Sequence, residues 1–256
     1  MPHITLLNVA LIVAVGIACG FINAIAGAGS LLTLPVLIFM GLPTAAANGT
    51  NRVAIEVQSV FAIMGFRSKG VAAFKESLLF SLPTLAGAII GALLAIRVPD
   101  SLFKPILSVV MIVMLGVIFY NPAKRLKRAE VRMTPLRWIA AGVAFFLAGI
   151  FGGFIQAGVG FLLISILVGI IGLDLVKTNA HKVFIVGIFT LVALAIFALK
   201  GQVNWILGIT LSVGNGLGGW LGSRFAVVKG EKWIQAFMVL AVVIMAVKLS
   251  GLIPGF

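Results

Sequence analysis

The sequence predicts an all-α, polytopic membrane protein made of two inverted-topology repeats, with about 8–10 membrane helical segments, some of them short and either broken or re-entrant. Three observations carry this expectation. Hydrophobic residues make up 62% of the 256 and charged residues only 10%, more apolar surface than a soluble domain of this size can hide. Apolar runs near the length of a bilayer crossing recur to the C-terminus, without the alternating segments of about ten residues that build a membrane β-barrel. The chain also matches itself at a shift of 131 residues.

Under that shift Ala26-Gly27-Ala28-Gly29 falls on Ala157-Gly158-Val159-Gly160, Leu31-Leu32 on Leu162-Leu163, and Asn48 on Asn179. Gly41, Gly70, Gly87 and Gly91 fall on Gly172, Gly201, Gly218 and Gly222. Six glycine pairs coincide where composition alone gives roughly one. Such duplication is a frequent signature of secondary transporters. It divides the chain into a first repeat (1–121), a basic linker (122–137) and a second repeat (138–256), forming one membrane domain.

Each repeat opens with a long apolar run, 4–26 or 138–157. The first lacks a preceding basic residue and is too long for a signal-peptide core, so it reads as a retained span. Each run ends in a Gly-x-Gly break, followed by about a dozen apolar residues (30–42; 161–173). As a helix such a segment rises only ~18 Å against ~30 Å of hydrocarbon, and it cannot cross alone. It is the half-helix of a re-entrant hairpin or part of a broken span. A polar patch comes next (43–52; 174–182), then three longer runs: 53–66, 76–97 and 101–121 in one repeat, 183–199, 203–225 and 232–252 in the other. Irregular backbone at membrane depth is tolerated only inside protein or along a cavity, which places the patches around an internal cavity.

The net charge is +13. In a soluble protein it would suggest nucleic acid; here basic residues collecting in cytoplasmic loops account for it, and no nucleic-acid partner is expected. The densest cluster, KRLKRAEVRMTPLR (124–137), reads as a cytoplasmic linker touching anionic membrane lipids. With the last three runs of each half crossing, the cytoplasm also receives Arg67, Lys69, Lys75, Arg224, Lys229 and Lys232, while Arg97, Lys104, Lys200 and Lys248 lie outside. Equivalent loops then face opposite sides, so the halves are inverted. Trp138, Trp205, Trp220 and Trp233 fall near the ends of runs, as interfacial anchors do. Cys19 is the only cysteine and His3 and His181 the only histidines, which leaves no metal site, cofactor or catalytic cluster to expect.

The chemistry sits in the breaks and patches. Gly27, Gly29, Gly158 and Gly160 permit tight turns whose following helix starts expose backbone N–H groups to an anion; close helix packing is the rival reading. Ser30 adds a hydroxyl, and Asn23 and Gln156 add amides one turn before the breaks. No Gly-Lys-Ser/Thr follows either break and no third dinucleotide glycine is present, so neither is a nucleotide loop. The patches supply Asn48, Thr50, Asn51 and Arg52, then Asn179, His181 and Lys182. Intramembrane charges cost at least a few kcal/mol and face a cavity or a partner. Arg52 has Glu56 four residues on as a possible neutraliser; Lys182 has no acid at that spacing, and Asp174 is either its partner or a helix-start residue. His181 either meets the substrate or satisfies local hydrogen bonds. The balance of basic groups and few acids points to a small anion.

At these residues the sequence resembles a known family. The break running into LLTLPVLIFMGLP, followed by NGTNR, resembles the TauE/SafE membrane transporters, and AGVGFLLISILVGIIGLDLVKTNAHK is similar to that family's second repeat. The resemblance covers essentially the whole chain. It implies a non-enzymatic transporter of sulfite or organosulfonates such as sulfoacetate, generally outward across the bacterial inner membrane, although many members have unassigned substrates. It also implies a substrate-path role for Gly27, Gly29, Asn48, Thr50, Asn51 and Arg52, and for Gly158, Gly160, Asn179, His181 and Lys182. The sequence departs from exact symmetry: Asn51-Arg52 is offset by one residue from His181-Lys182, and Ala28 and Val159 stand where glycine-richer breaks are common. A homodimer is compatible with this reading. The rival functions are a carrier of another small anion or carboxylate, and a membrane assembly factor.

Overall fold

A computed structural model describes residues 6–71, 74–120 and 133–228. Among these residues every regular element is a helix: α1 (Leu6–Ala26), α2 (Ser30–Phe39), α3 (Thr44–Arg67), α4 (Phe74–Ala95), α5 (Asp100–Tyr120), α6 (Pro135–Phe154), α7 (Val159–Gly169), α8 (Leu175–Leu199) and α9 (Trp205–Val228). The all-α polytopic class is therefore the observed one. His3, Lys229, Lys232, Trp233, Lys248, the run 232–252 and most of the basic linker lie outside the described residues.

The short segments are short helices, as the spacing predicts. α2 has 10 residues and α7 has 11, a rise of only ~15–17 Å. By length and composition α1, α4, α6 and α8 are each able to cross a membrane. The surface agrees: Leu82, Leu93, Ile139, Ile206 and Leu217 are exposed, while Asn48, Thr50, Arg52, Lys182 and Asn215 are buried. That distribution suits a protein whose solvent is hydrocarbon and whose polar groups face inward.

The polar patches differ from the expectation. They are not loops leading into helices but the first turns of the helices themselves. Pro43 sets the extended backbone before α3, with ψ 150°, and the good helix formers Ala45, Ala46 and Ala47 carry the chain straight into Asn48. Asp174 caps α8, accepting from the N–H of Val176 at 3.1 Å and of Lys177 at 2.9 Å. Its helix-start role is thus the observed one, with only a loose ion pair to Lys177 at 3.8 Å. Asp174→Ala is expected to lower stability by about 1 kcal/mol, read as a small drop in the unfolding midpoint of the detergent-purified protein. The helical part of the linker is a second difference. Thr134 caps α6 and Pro135 occupies its first turn, so Pro135, Leu136 and Arg137 are helical.

The helices pack in an exchange pattern. α1 runs along α9, and α6 along α4; α3 packs on α9, and α8 on α4; α3 and α8 cross each other. Swapping each helix for its 131-shifted counterpart leaves these contacts unchanged. The glycine pairs expected to close-pack do so: Gly87 and Gly91 of α4 lie against the α6 backbone at Phe146 and Ile150, and Gly218 and Gly222 of α9 against α1 at Ile17 and Phe21. The glycines with positive φ among the described residues are Gly27, Gly41, Gly70, Gly158, Gly172 and Gly201, three pairs at the same shift. Trp138 and Trp205 begin α6 and α9 and are exposed. Trp220 is different: it lies inside α9, beneath the Arg224 guanidinium at 4.5 Å.

Candidate functional site: a polar cavity where two helix breaks meet

α1 ends at Ala26, and Gly27 (φ 76°) turns the chain. The second break uses Gln156 (φ 61°) and Gly158 (φ 85°). Positive φ is costly for a non-glycine residue and persists only where surroundings impose it, a recurrent property of binding sites. The breaks touch through bare backbone: a Cβ on Gly27 would strike Gly160 Cα, and one on Gly160 would strike Gly27 Cα. Glycine is required at this crossing for close approach as well as for the turn.

Beside the crossing lies a cavity of about 10 Å³ whose polar lining comes from Asn23, Ser30, Gln58, Ser59, Gln156 and Lys182. That volume holds about one water. Asn23 Nδ2 donates to Gln58 Oε1 at 2.6 Å, and Gln156 Nε2 to Thr190 Oγ1 at 2.7 Å. Among the described residues Ser59 Oγ and Gln156 Oε1 are buried without partners. The Leu31, Leu32 and Thr33 amides of α2 are satisfied by Ala28 and Gly29 carbonyls, and Phe161 of α7 by Gly158. Among the described residues no such bond accounts for the amides of Ser30 and Gly160, two residues that line the cavity.

Of the residues singled out in the sequence, the cavity gathers Asn23, Gly27, Ser30, Gln156, Gly160 and Lys182. The others stand around it. Gly29 packs under Cys19 and Asn23, and Gly158 against Met114. Asn51 Oδ1 accepts from Thr33 Oγ1 at 2.5 Å. Thr50 Oγ1 accepts from the Asn204 N–H at 2.9 Å, and Asn204 in turn caps α9. His181, the 131-shifted counterpart of Thr50, bonds Ser77 in the first turn of α4 at 2.8 Å. Both residues therefore tie down the start of a packed helix from the other half. Ser77–His181 is a serine–histidine pair that sequence spacing did not reveal, fully buried under Phe80. The equivalence with Thr50 assigns it to packing rather than nucleophilic chemistry.

The basic residues follow the same exchange. Lys182 Nζ donates to Asn23 O at 3.0 Å, Ala24 O at 2.9 Å and Asn179 Oδ1 at 2.7 Å, capping the end of α1. Arg52 Nη2 donates to Gly152 O at 3.2 Å, Gly153 O, and Asn48 Oδ1 at 3.3 Å, capping the end of α6. Asn48 also donates to Phe154 O at 2.7 Å. Carbonyls left over at a helix C-terminus carry the negative end of its dipole, so a cation there is favoured. Arg52 further stacks over Phe197 at 4.8 Å. The Arg52–Glu56 neutralising pair does not form; Glu56 Oε2 is buried without a partner. Gln58 and Ser59 were missed, although two polar residues inside the apolar run 53–66 were a visible signal.

The chain matches the family described as "Sulfite exporter TauE/SafE" over residues 12–249. It belongs to the TauE/SafE family. A probable membrane transporter protein of Sinorhizobium sp is 32% identical over 90% of this chain and 87% of its own length. One from Haemophilus influenzae is 30% identical over 94% and 93%, and the probable membrane transporter YfcA of Escherichia coli 31% over 92% and 87%. No solved structure matches. Family, relatives and apolar helices together make this TauE/SafE protein a multi-pass membrane transporter.

Proposed function

We propose that this protein moves a small sulfur-containing oxyanion, sulfite or an organosulfonate, outward across the cytoplasmic membrane. One observation carries the reading: the two helix breaks converge on a cavity lined by Ser30, Ser59, Gln156 and Gly160 and flanked by the positive charge of Lys182, whose N–H donors are held by the α1 carbonyls and Asn179. Such a donor set suits an anion's oxygens. A cavity with room for about one water is too small for sulfite, so the present arrangement is closed and widens when loaded. Alternating access supplies that widening: one inverted half rocks against the other about the Gly27–Gly160 crossing, with residues 122–137 on the cytoplasmic side. A membrane potential negative inside drives anion exit. The same donors fit a carboxylate, the second substrate class to test.

Proteoliposomes loaded in turn with sulfite, a sulfonate, sulfate and acetate test the reading. Sulfite flux is expected to exceed that of protein-free vesicles; equality would sink the substrate assignment. Ser59→Ala is expected to cut this flux by about tenfold, the worth of one lost hydrogen bond. Its unfolding midpoint should hold or rise, because the hydroxyl has no partner to lose.

A further inference from the structure

The Lys182 ammonium carries three N–H donors and meets three oxygens at 2.7–3.0 Å. Two are carbonyls of the last turn of α1, and the third is an amide oxygen one turn back on its own helix. Lys182 is only 1% exposed. Carbonyls at the end of an interrupted helix, completed by a side-chain oxygen, are the ligand set with which transporters hold a coupling cation. The other break repeats the arrangement: Gly152 O, Gly153 O and Asn48 Oδ1 surround the Arg52 Nη2. Asn48 and Asn179 are 131-shifted counterparts, so each cage is closed by the same asparagine. The cation filling it comes each time from the other half of the chain.

We propose that the cage at the end of α1 is a monovalent-cation site permanently occupied by the tethered Lys182 ammonium. The oxygens are spaced for N–H···O bonds, so free ammonium fits with least adjustment. The wild-type protein then needs no free cation at this point, and trimming the lysine uncovers a site for one. The consequence for flux rests on the transport reading above; the cage itself does not.

Thermal unfolding of the full-length protein in detergent separates the two. Lys182→Ala is expected to gain roughly 3 °C in ammonium chloride over choline chloride at ten times the dissociation constant. Wild type should gain less than about 1 °C, and so should Lys182→Met, whose side chain refills the cage without charge. Lys182→Ser supplies the same measurement if the alanine variant does not accumulate. No greater gain from ammonium, sodium or potassium in either variant than in wild type overturns the proposal. So does an equal gain in Lys182→Met. In proteoliposomes, wild-type sulfite flux should be the same in sodium and choline, and flux through Lys182→Ala should recover at least about fivefold with ammonium. Sulfite-inactive wild type together with an ammonium-stabilised Lys182→Ala would reject the substrate assignment while leaving the cage standing.

Discussion

Gly160→Ala is expected to eliminate folded protein from the membrane. The added methyl lands on Gly27 Cα and its carbonyl group. These atoms are backbone, and Gly27 is itself held at φ 76°, so neither side yields by changing a rotamer. Relief requires moving the α2 and α7 starts apart, with the loss of the packing around the crossing. Ordinary overpacking costs ~1–3 kcal/mol; a backbone-to-backbone collision belongs in the exceptional class above ~4 kcal/mol. Gly142→Ala is the control. Among the described residues nothing lies within 4 Å of the added carbon there, and replacing a helical glycine should stabilise by about 0.5–1 kcal/mol. Membrane yield and a monodisperse size-exclusion peak read both variants. Normal yield of Gly160→Ala would show that the two breaks do not touch.

The second large effect is expected for Arg52→Met. This residue is fully buried and holds two carbonyls of the last turn of α6 together with Asn48. Methionine fills much of the volume and relieves one cost, since Arg52 Nε and Nη1 have no partners. It also removes the two Nη2 N–H donors shared among three oxygens, charge-assisted bonds of ~1.5–3 kcal/mol each, and leaves buried oxygens unpaired. The lost bonds outweigh the relief, and a net destabilisation of about 2–4 kcal/mol is expected. Arg52→Lys should recover part of it by restoring one cation at the cage. The unfolding midpoint in detergent measures both. A variant as stable as wild type would show that the helix end needs no cation.

The fold was largely legible because its signals are coarse. Length and apolarity of the runs suffice for the helices; the described glycines of positive φ pair at the same 131-residue shift at which the sequence matches itself. What failed was local. In the sequence the patch 43–52 stands outside the helical run that starts at 53, with only Arg52 at or inside that helix, because polar residues at membrane depth suggest broken backbone. Their polar groups are accommodated on a helix because backbone carbonyls of the other half meet Asn48 and Arg52, and those partners lie a hundred or more positions away. For the same reason the spacing of Arg52 and Glu56 suggested a pair that the structure does not make. The glutamate is outcompeted by the α6 carbonyls, which face the guanidinium directly. Gln58 and Ser59 stand out in the sequence as two polar residues in an apolar run, but they carry no periodicity that assigns them a role; the position of the cavity does.

The exchange of caps also bears on how the chain is made. The last carbonyls of α1 are closed by a lysine 158–159 positions further along. At about 5–20 residues per second, synthesis of that interval lasts roughly 8–30 s. Throughout it, α1 carries a C-terminal end without its cation: the Gly27 N–H reaches the Asn23 carbonyl, but the ammonium that joins the Asn23 and Ala24 carbonyls is not yet made. The first half is therefore an incomplete object until the second is inserted, and a ribosome stalled between the two should yield a nascent chain recognised by membrane quality control rather than a stable half-transporter.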